Sequence, residues 1–363
     1  MSMARFDIAV VGAGMAGASL AAELAGRAQV LVLEGEDQPG YHTTGRSAAF
    51  WTESYGGPGV QPLTSASGPL LQALGVLNRR EALTIGTTQQ AAEVEAFART
   101  YEALGIEVQR LDRAALAARI PGLRSAWTHG ALEPSCCDID VAALHQHYLA
   151  QLRAGCAQLW CRARLIAAAR DGGGWLLTLS DGRQARCDVL VDAAGAWADG
   201  VADIAGAAAL GIMPYRRTIA QCRVDPAVPA DLPLVLDVAE QFYFKPESGR
   251  LWLSPHDETP SPPCDAAPEE IDIAVALERL GAVVDWTVAH VEHRWAGLRS
   301  FAPDRLPVYG FDVQVPGFFW FAGQGGFGIQ TAPAAAKLAA GLVLGERWGE
   351  VDPEPYSPGR FIR

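Results

Sequence analysis

The sequence predicts an α/β fold: a Rossmann-like nucleotide domain joined to a smaller α+β domain built on a mainly antiparallel sheet. Three observations carry this. The apolar run Phe6-Asp7-Ile8-Ala9-Val10-Val11 leads into Gly12-Ala13-Gly14-Met15-Ala16-Gly17 and an Ala-rich helical stretch, the strand–turn–helix order of a dinucleotide-binding unit. Strand, glycine loop and helix signals return in that order after Trp295. Between them, residues 213–293 are richer in proline and in short strand-like pieces such as Phe242-Tyr243-Phe244 and Leu251-Trp252-Leu253. Similar ends with different material between them predict two interleaved domains. The nucleotide domain is expected at 1–80, 136–212 and 294–363, and the second domain at 81–135 and 213–293.

Along the chain, the first helix is expected over Ala16–Ala25, closed by Gly26, and the second strand over Val30–Leu33, ending at Glu34. The Gly/Thr/Ser-rich stretch 40–59 carries few helix signals. Ala82–Thr88 reads as a strand, Ala91–Leu104 and Ala114–Arg119 as helices stopping near Pro121, and Val141–Arg153 as a helix capped by Asp138 or Asp140. Trp175–Ser180, the turn Asp181-Gly182 and Ala185–Val191 form a hairpin pattern whose second strand runs into Asp192-Ala193-Ala194-Gly195.

Composition narrows the class. The 363 residues are 50% hydrophobic and 19% charged, enough for a sizeable core. A net charge of −12 repels phosphate backbones, so no nucleic-acid partner is expected. The seven cysteines are odd in number and include no C-x-x-C pair, unlike a disulfide framework or a zinc site. His145 and His147 stand two apart on a helix, and His290-Val291-Glu292-His293 lacks the zinc-protease spacing, so no metal is expected. The longest uncharged stretch, 313–336, is interrupted by glycines and prolines, which argues against an integral membrane segment. The start lacks signal-peptide architecture, and the expectation is a cytoplasmic protein.

Four motifs carry chemistry. In the first, Gly12 permits the tight turn, Gly14 lets a pyrophosphate approach the helix N-terminus near Met15 and Ala16, and Gly17 lets helix and strand pack closely. Glu34 ends the second strand, where its carboxylate can accept from ribose hydroxyls; this fingerprint alone does not separate NAD from FAD. In the second, Thr43-Thr44-Gly45-Arg46-Ser47-Ala48-Ala49, small residues and one arginine can wrap the pyrophosphate beside a flavin ring; a surface loop is the competing reading. The third, Ala194-Gly195-Ala196-Trp197, lets a cofactor lie against a strand end, or simply packs closely. The fourth, Gly323 to Thr331 with Gly325, Gly326, Phe327, Gly328, Ile329 and Gln330, offers backbone N–H groups to the electron-rich edge of a reduced flavin.

These motifs, together with Trp295-Ala296-Gly297-Leu298-Arg299 and the downstream Asp304, Pro307 and Gly310, occur in an order that resembles the FAD-dependent D-amino-acid oxidase and glycine oxidase superfamily. Residues 41–55, 295–301 and 323–331 most resemble the bacterial D-arginine dehydrogenases. The resemblance implies a nucleotide domain of the glutathione-reductase type and non-covalent FAD. It implies that Arg217, Arg299 and Tyr243 hold a substrate carboxylate and that Tyr55 covers the site. It implies that Thr52 and Gly326 contact substrate and that Glu81 receives a cationic side chain. Phe50 and Trp51 depart from that pattern, standing where those dehydrogenases have a histidine and a tyrosine, so the pocket is expected to be more apolar.

The activity implied is dehydrogenation or oxidation of D-amino acids with basic or bulky apolar side chains. The imino acids formed hydrolyse to 2-oxo acids and ammonia, and the motifs do not identify the electron acceptor. Oxidation of a secondary amine (glycine, sarcosine or a cyclic imino acid) or of a 2-hydroxy acid stays open. So do an NADPH-driven monooxygenase and a non-catalytic FAD-binding module.

Overall fold

A computed structural model describes residues 3–361; the outermost positions of the first and last nucleotide-domain ranges, 1–2 and 362–363, lie outside them. The centre of the nucleotide domain is a parallel sheet. Ala4–Val11 lies between Val30–Leu33 and Gln184–Asp192, and Gln158–Trp160 extends it beyond Val30–Leu33. All four residues of Val30–Leu33 are buried, as both covered faces of such a sheet demand. The strand Gln184–Asp192 pairs antiparallel with Gly174–Leu179 along its first half, completing the expected hairpin, and parallel with Phe318–Ala322 at its end. That end is the edge from which nucleotide sites open in this class of sheet.

Helices Met15–Leu24 and Ala332–Leu344 pack on one face of the sheet, where Leu20, Leu24, Leu338 and Ala339 meet Val10, Val32 and Phe319. The helix Val141–Ala154 starts at Asp140, whose carboxylate accepts from the Ala143 amide at 2.9 Å, which settles the cap. The helix Gln61–Ala73 was not marked by the sequence. Pro62 suits a first turn, but Gly68 and Pro69 hide the pattern. A Cβ on Gly68 would fall 2.5 Å from the Trp51 indole, so close packing rather than propensity makes that glycine necessary.

The second domain is built on a ten-stranded sheet. Met213–Asp225 and Thr287–Phe301 form its longest antiparallel pair, and Arg250–Ser254, Tyr243–Glu247 and Leu234–Asp237 continue it. Leu234–Asp237 then runs parallel to Ala82–Thr87, so the sheet is mainly rather than wholly antiparallel. Its core joins Leu83, Phe242, Phe244, Leu253, Leu280 and Trp286. The boundary expected at 293/294 falls inside the continuous strand Thr287–Phe301. Arg299 is therefore carried by the second sheet, and that strand delivers it to the nucleotide domain.

Candidate active site

The dinucleotide turn is shaped by backbone contact. Gly12 adopts φ +100°, and a Cβ there would lie 2.5 Å from the Ala193 carbonyl oxygen. A Cβ on Gly17 would lie 1.9 Å from the Gly12 carbonyl oxygen, so the helix rests directly on the turn. Glu34 holds the turn from the next strand: Oε2 accepts from the Ala13 amide at 3.0 Å and Oε1 from the Glu36 amide at 2.9 Å. The Thr44 hydroxyl oxygen accepts from the Met15 amide at 2.8 Å, tying the second motif to the helix N-terminus. His145 is buried beneath the turn, 3.0 Å from the Ala13 carbonyl, and burial lowers its pKa, so a neutral ring donates there.

A cavity of about 360 Å³ follows these elements. Gly12, Gly14, Met15, Ala16 and Glu34 line it at one end. Thr43, Arg46, Ser47, Ala48, Ala194, Gly195 and Trp197 line its sides. Gly325, Gly326, Gly328 and Ile329 stand at the other end beside Arg217 and Arg299. A space lined by the glycine turn, by Glu34 and by a second glycine loop fits a dinucleotide such as FAD.

Some expected cofactor contacts fall elsewhere. The guanidinium of Arg46 donates to the Ala266 and Ala296 carbonyls and pairs with Asp265, so it staples its loop to the second domain rather than reaching for a pyrophosphate. Gly17 and Gly45 shape the backbone without lining the cavity; the Gly45 amide donates to the Gly40 carbonyl at 2.9 Å. Phe327 packs between Tyr55 and Phe301, with ring centroids 5.3 and 5.8 Å away. Gln330 is buried and braces the loop at 52–55: its Nε2 donates to the Tyr55 carbonyl at 3.1 Å and to Thr64 Oγ1 at 3.0 Å. Neither side chain lines the cavity.

The second sheet supplies the cations. Arg299 stands opposite Tyr215 and Arg217 opposite Gly297. Side chains alternate along a strand, so Arg217 and Arg299 share one face while Arg216 takes the other, where it pairs with Glu269 and Asp272. Tyr243, paired with Ser254, joins the cavity face through the neighbouring strands and packs against Ile219, Phe50 and Ala48. Arg217 is buried; its Nε donates to the Asp257 carbonyl at 2.7 Å and Nη2 to Glu258 at 3.2 Å, leaving Nη1 without a partner among the described residues. The Tyr243 hydroxyl is also buried and unpartnered. Arg299 Nη1 donates to the Tyr55 phenol at 2.6 Å, a neutral acceptor. Burial, and then the charge of Arg299, lower the Arg217 pKa, yet a guanidinium keeps its proton. Gly326 leaves room for this pair: a Cβ there would lie 2.7 Å from Arg299 Nη1, and the guanidinium would have to shift.

The expected substrate contacts divide. Phe50 is buried against Tyr55 and Tyr243, at centroid distances of 5.2 and 6.0 Å, in an apolar cluster behind Ala48, and does not itself line the cavity. Thr52 donates its hydroxyl to Glu133 at 2.6 Å and does not line the cavity. Glu81 requires a correction: it does not line the cavity, and its carboxylate pairs with Arg119. Two residues of the region went unmarked. Buried Glu133 accepts from Thr52 Oγ1, the Glu53 and Ser54 amides and Ser135 Oγ, pinning the loop that carries Tyr55. His256 stands beside Tyr55 and Tyr243. Neither lies in a recognisable motif; only the three-dimensional neighbours give them away.

Fold and site together define a dinucleotide-binding oxidoreductase with a Rossmann-like domain and a second, sheet-based domain. Comparison with known proteins narrows this. The chain belongs to the DAO family of FAD dependent oxidoreductases, whose family model matches residues 7–342, and FAD is its cofactor. Among curated relatives, it is 30% identical over 198 residues to a glycine oxidase of Pseudomonas aeruginosa, covering 52% of this chain and 50% of that protein. It is 25% identical over 269 residues to hydrogen cyanide synthase subunit HcnC of the same organism, covering 71% of this chain and 61% of that protein. The aligned region thus spans about half to three fifths of these two relatives. In solved structures the fold matches glycine oxidase from Geobacillus kaustophilus at a TM-score of 0.87, with 23% identity over 99% of this chain and 100% of that one. It matches L-proline dehydrogenase from P. horikoshii at a TM-score of 0.86, with 18% identity over 99% and 98%. No helix among the described residues is long and apolar enough to cross a membrane, and no cluster of three His, Cys, Asp or Glu among them is placed to hold a metal.

The purified protein is expected to be yellow, with its FAD released by heat denaturation. No cysteine follows Cys264 in the sequence, and none lines the cavity. Protein that is colourless and cannot be reconstituted with FAD refutes this assignment.

Proposed function

We propose that the chain oxidises α-amino acids, of D configuration and with bulky apolar side chains, to imino acids that hydrolyse to 2-oxo acids and ammonia. The observation that carries this is the unfilled polar set on one sheet face. Among the described residues, Arg217 Nη1 and the Tyr243 hydroxyl are buried without partners, and Arg299 is hydrogen-bonded only to a phenol. A carboxylate supplies acceptor oxygens for all three groups and the missing negative charge. Buried donors left unmade are costly, so such a set argues for a ligand. Ala48 and Ile219, which line the cavity with the packed rings of Phe50, Tyr55 and Tyr243 behind them, support a large hydrocarbon side chain. The D configuration rests on the resemblance of residues 41–55, 295–301 and 323–331 to the D-arginine dehydrogenases.

Bound FAD supplies the two-electron acceptor for the Cα hydrogen. The protein's part is positional: Arg217 and Arg299 fix the carboxylate, and with it the direction of Cα, which removes rotational freedom before reaction. The amine must be uncharged when the Cα–H bond breaks, leaving its nitrogen lone pair to form the C=N bond. The amine proton lost on the way to the imine passes to solvent.

Anaerobic mixing of the holoenzyme with a panel of amino acids tests the reading. Bleaching of the flavin band by D-leucine or D-phenylalanine, and not by their L-forms, is the expected result. Bleaching by glycine, sarcosine or L-proline alone would move the substrate to the secondary-amine class. A further expectation follows from Glu81. Its pair with Arg119 is part-exposed, and such pairs contribute about 0–1 kcal/mol. Glu81→Leu should therefore change kcat/KM by less than about 2-fold for apolar and basic D-amino acids alike. A selective loss on D-arginine or D-lysine in steady-state assays would return Glu81 to the pocket.

A further inference from the structure

Beside the carboxylate-binding pair lies a second cavity of about 130 Å³, bounded by the loop at 52–57, Tyr101, Phe242 and His256. Tyr55 borders it while bonding to Arg299, which lines the larger cavity. His256 faces the same phenol: Tyr55 Oη and His256 Nε2 are 3.4 Å apart. The other ring nitrogen, Nδ1, is 2.6 Å from the Glu240 carbonyl oxygen.

The donors and acceptors of this chain follow by elimination. A carbonyl only accepts, so Nδ1 carries the proton, and in a neutral ring Nε2 is then an acceptor. A guanidinium only donates, so the Tyr55 oxygen accepts from Arg299 and its own proton is free to go elsewhere. The acceptor within reach is His256 Nε2. We propose that His256 is a positioning residue for Arg299, acting through Tyr55: by taking the Tyr55 O–H, it turns the phenol oxygen toward Arg299 and holds that guanidinium in its carboxylate-binding pose.

The surroundings keep the ring neutral. The charges of Arg217 and Arg299 on the two long strands and of Arg279 on the helix Glu270–Val283 act on it, Tyr55 and Tyr243 pack against its ring, and Tyr101, Asp237 and Glu240 share the smaller cavity with it. Burial, then Arg217 and Arg299, push the His256 pKa down to about 2, against the opposing effect of the Glu240 carbonyl. The backbone is specialised as well. His256 adopts φ +54°, a left-handed conformation that His and Asn tolerate better than most residues, and its amide donates to Ser254 Oγ at 3.1 Å. His256→Asn therefore keeps the backbone but falls short of the phenol.

This inference rests on the reading of Arg299 as a carboxylate ligand, and the experiment separates the two. The probe is benzoate, titrated into holoenzyme and followed by the flavin absorbance, alongside KM and kcat for a turned-over D-amino acid. In His256→Asn, with FAD content and Tm checked first, benzoate affinity should fall and KM rise by about 5- to 20-fold, with kcat within about 2-fold. In a Tyr55→Phe background the same change should add less than about 2-fold, because the route through the phenol is already cut. His256→Gln, which restores an acceptor oxygen at longer reach, should recover most of the affinity. Benzoate affinity of the wild type should stay flat from about pH 6 to about pH 8, since the ring gains no proton there.

Unchanged benzoate affinity in His256→Asn overturns the inference. So does an undiminished loss in the Tyr55→Phe background, or an acidic limb in the wild-type profile that His256→Asn removes. If Arg299→Met binds benzoate as tightly as the wild type, it is the carboxylate reading itself that fails.

Discussion

Arg299→Met is expected to keep its FAD and to lose about 30- to 1000-fold in kcat/KM, the equivalent of about 2–4 kcal/mol of transition-state binding. The side chain is open to the cavity, and its Nη1 is met by a phenol rather than a carboxylate. Methionine fills similar volume without charge, so the loss measures the ion pair and not a hole. Arg217 cannot compensate, because its Nε and Nη2 are committed to the Asp257 carbonyl and Glu258. Steady-state kinetics on protein of wild-type FAD content and Tm check this. Near-normal turnover would place the substrate carboxylate elsewhere in the cavity.

The choice between Arg216 and Arg217 shows what a sequence can disclose about such a site. Adjacent residues on a strand face opposite ways, so only one of the two could join Arg299. Which one does so depends on register, and the pairing of Arg217 with Gly297 comes from a strand 80 residues further along (297−217). The dinucleotide turn was legible for the opposite reason. Gly12, Gly14 and Gly17 answer to steric needs within one strand–turn–helix unit, and Glu34 closes it from the adjacent strand.

Side chains on loops and strand ends resisted the same treatment. Glu81 finds Arg119, a partner 38 residues away on a short helix. Gln330 and Phe327 sit in a glycine loop whose backbone lines the cavity, but their side chains turn into the packing beneath Tyr55. His256 draws partners from positions 55 and 240, and nothing near it in the sequence announces either. In each case long-range packing decides the direction of the side chain. The helix Gln61–Ala73 escaped for a related reason: contact with Trp51 selects Gly68, against helix propensity.

Gly17→Ala is the second change of large expected effect. In an exposed helix this substitution stabilises by about 0.4–1 kcal/mol, since alanine has less chain entropy to lose on folding. Here the added Cβ would sit 1.9 Å from the Gly12 carbonyl oxygen and 2.9 Å from its carbon. Those are backbone atoms, and the Gly12 amide donates to the Leu33 carbonyl at 2.7 Å, which holds the turn in place. Helix Met15–Leu24 must move away from the turn by about 1 Å, a repacking that costs about 1–3 kcal/mol or more. The displacement also distorts the helix N-terminus and the glycine turn that line the cavity. Purified Gly17→Ala should therefore be nearly colourless, bind added FAD at least about 100-fold more weakly, and unfold at a lower temperature. Gly281→Ala is the matched control. It lies in the helix Glu270–Val283, where a Cβ would meet nothing within 4 Å, so the same substitution should raise Tm slightly and leave FAD content unchanged. If Gly17→Ala instead carries wild-type FAD at wild-type Tm, the close rest of helix on turn is not what shapes this cradle.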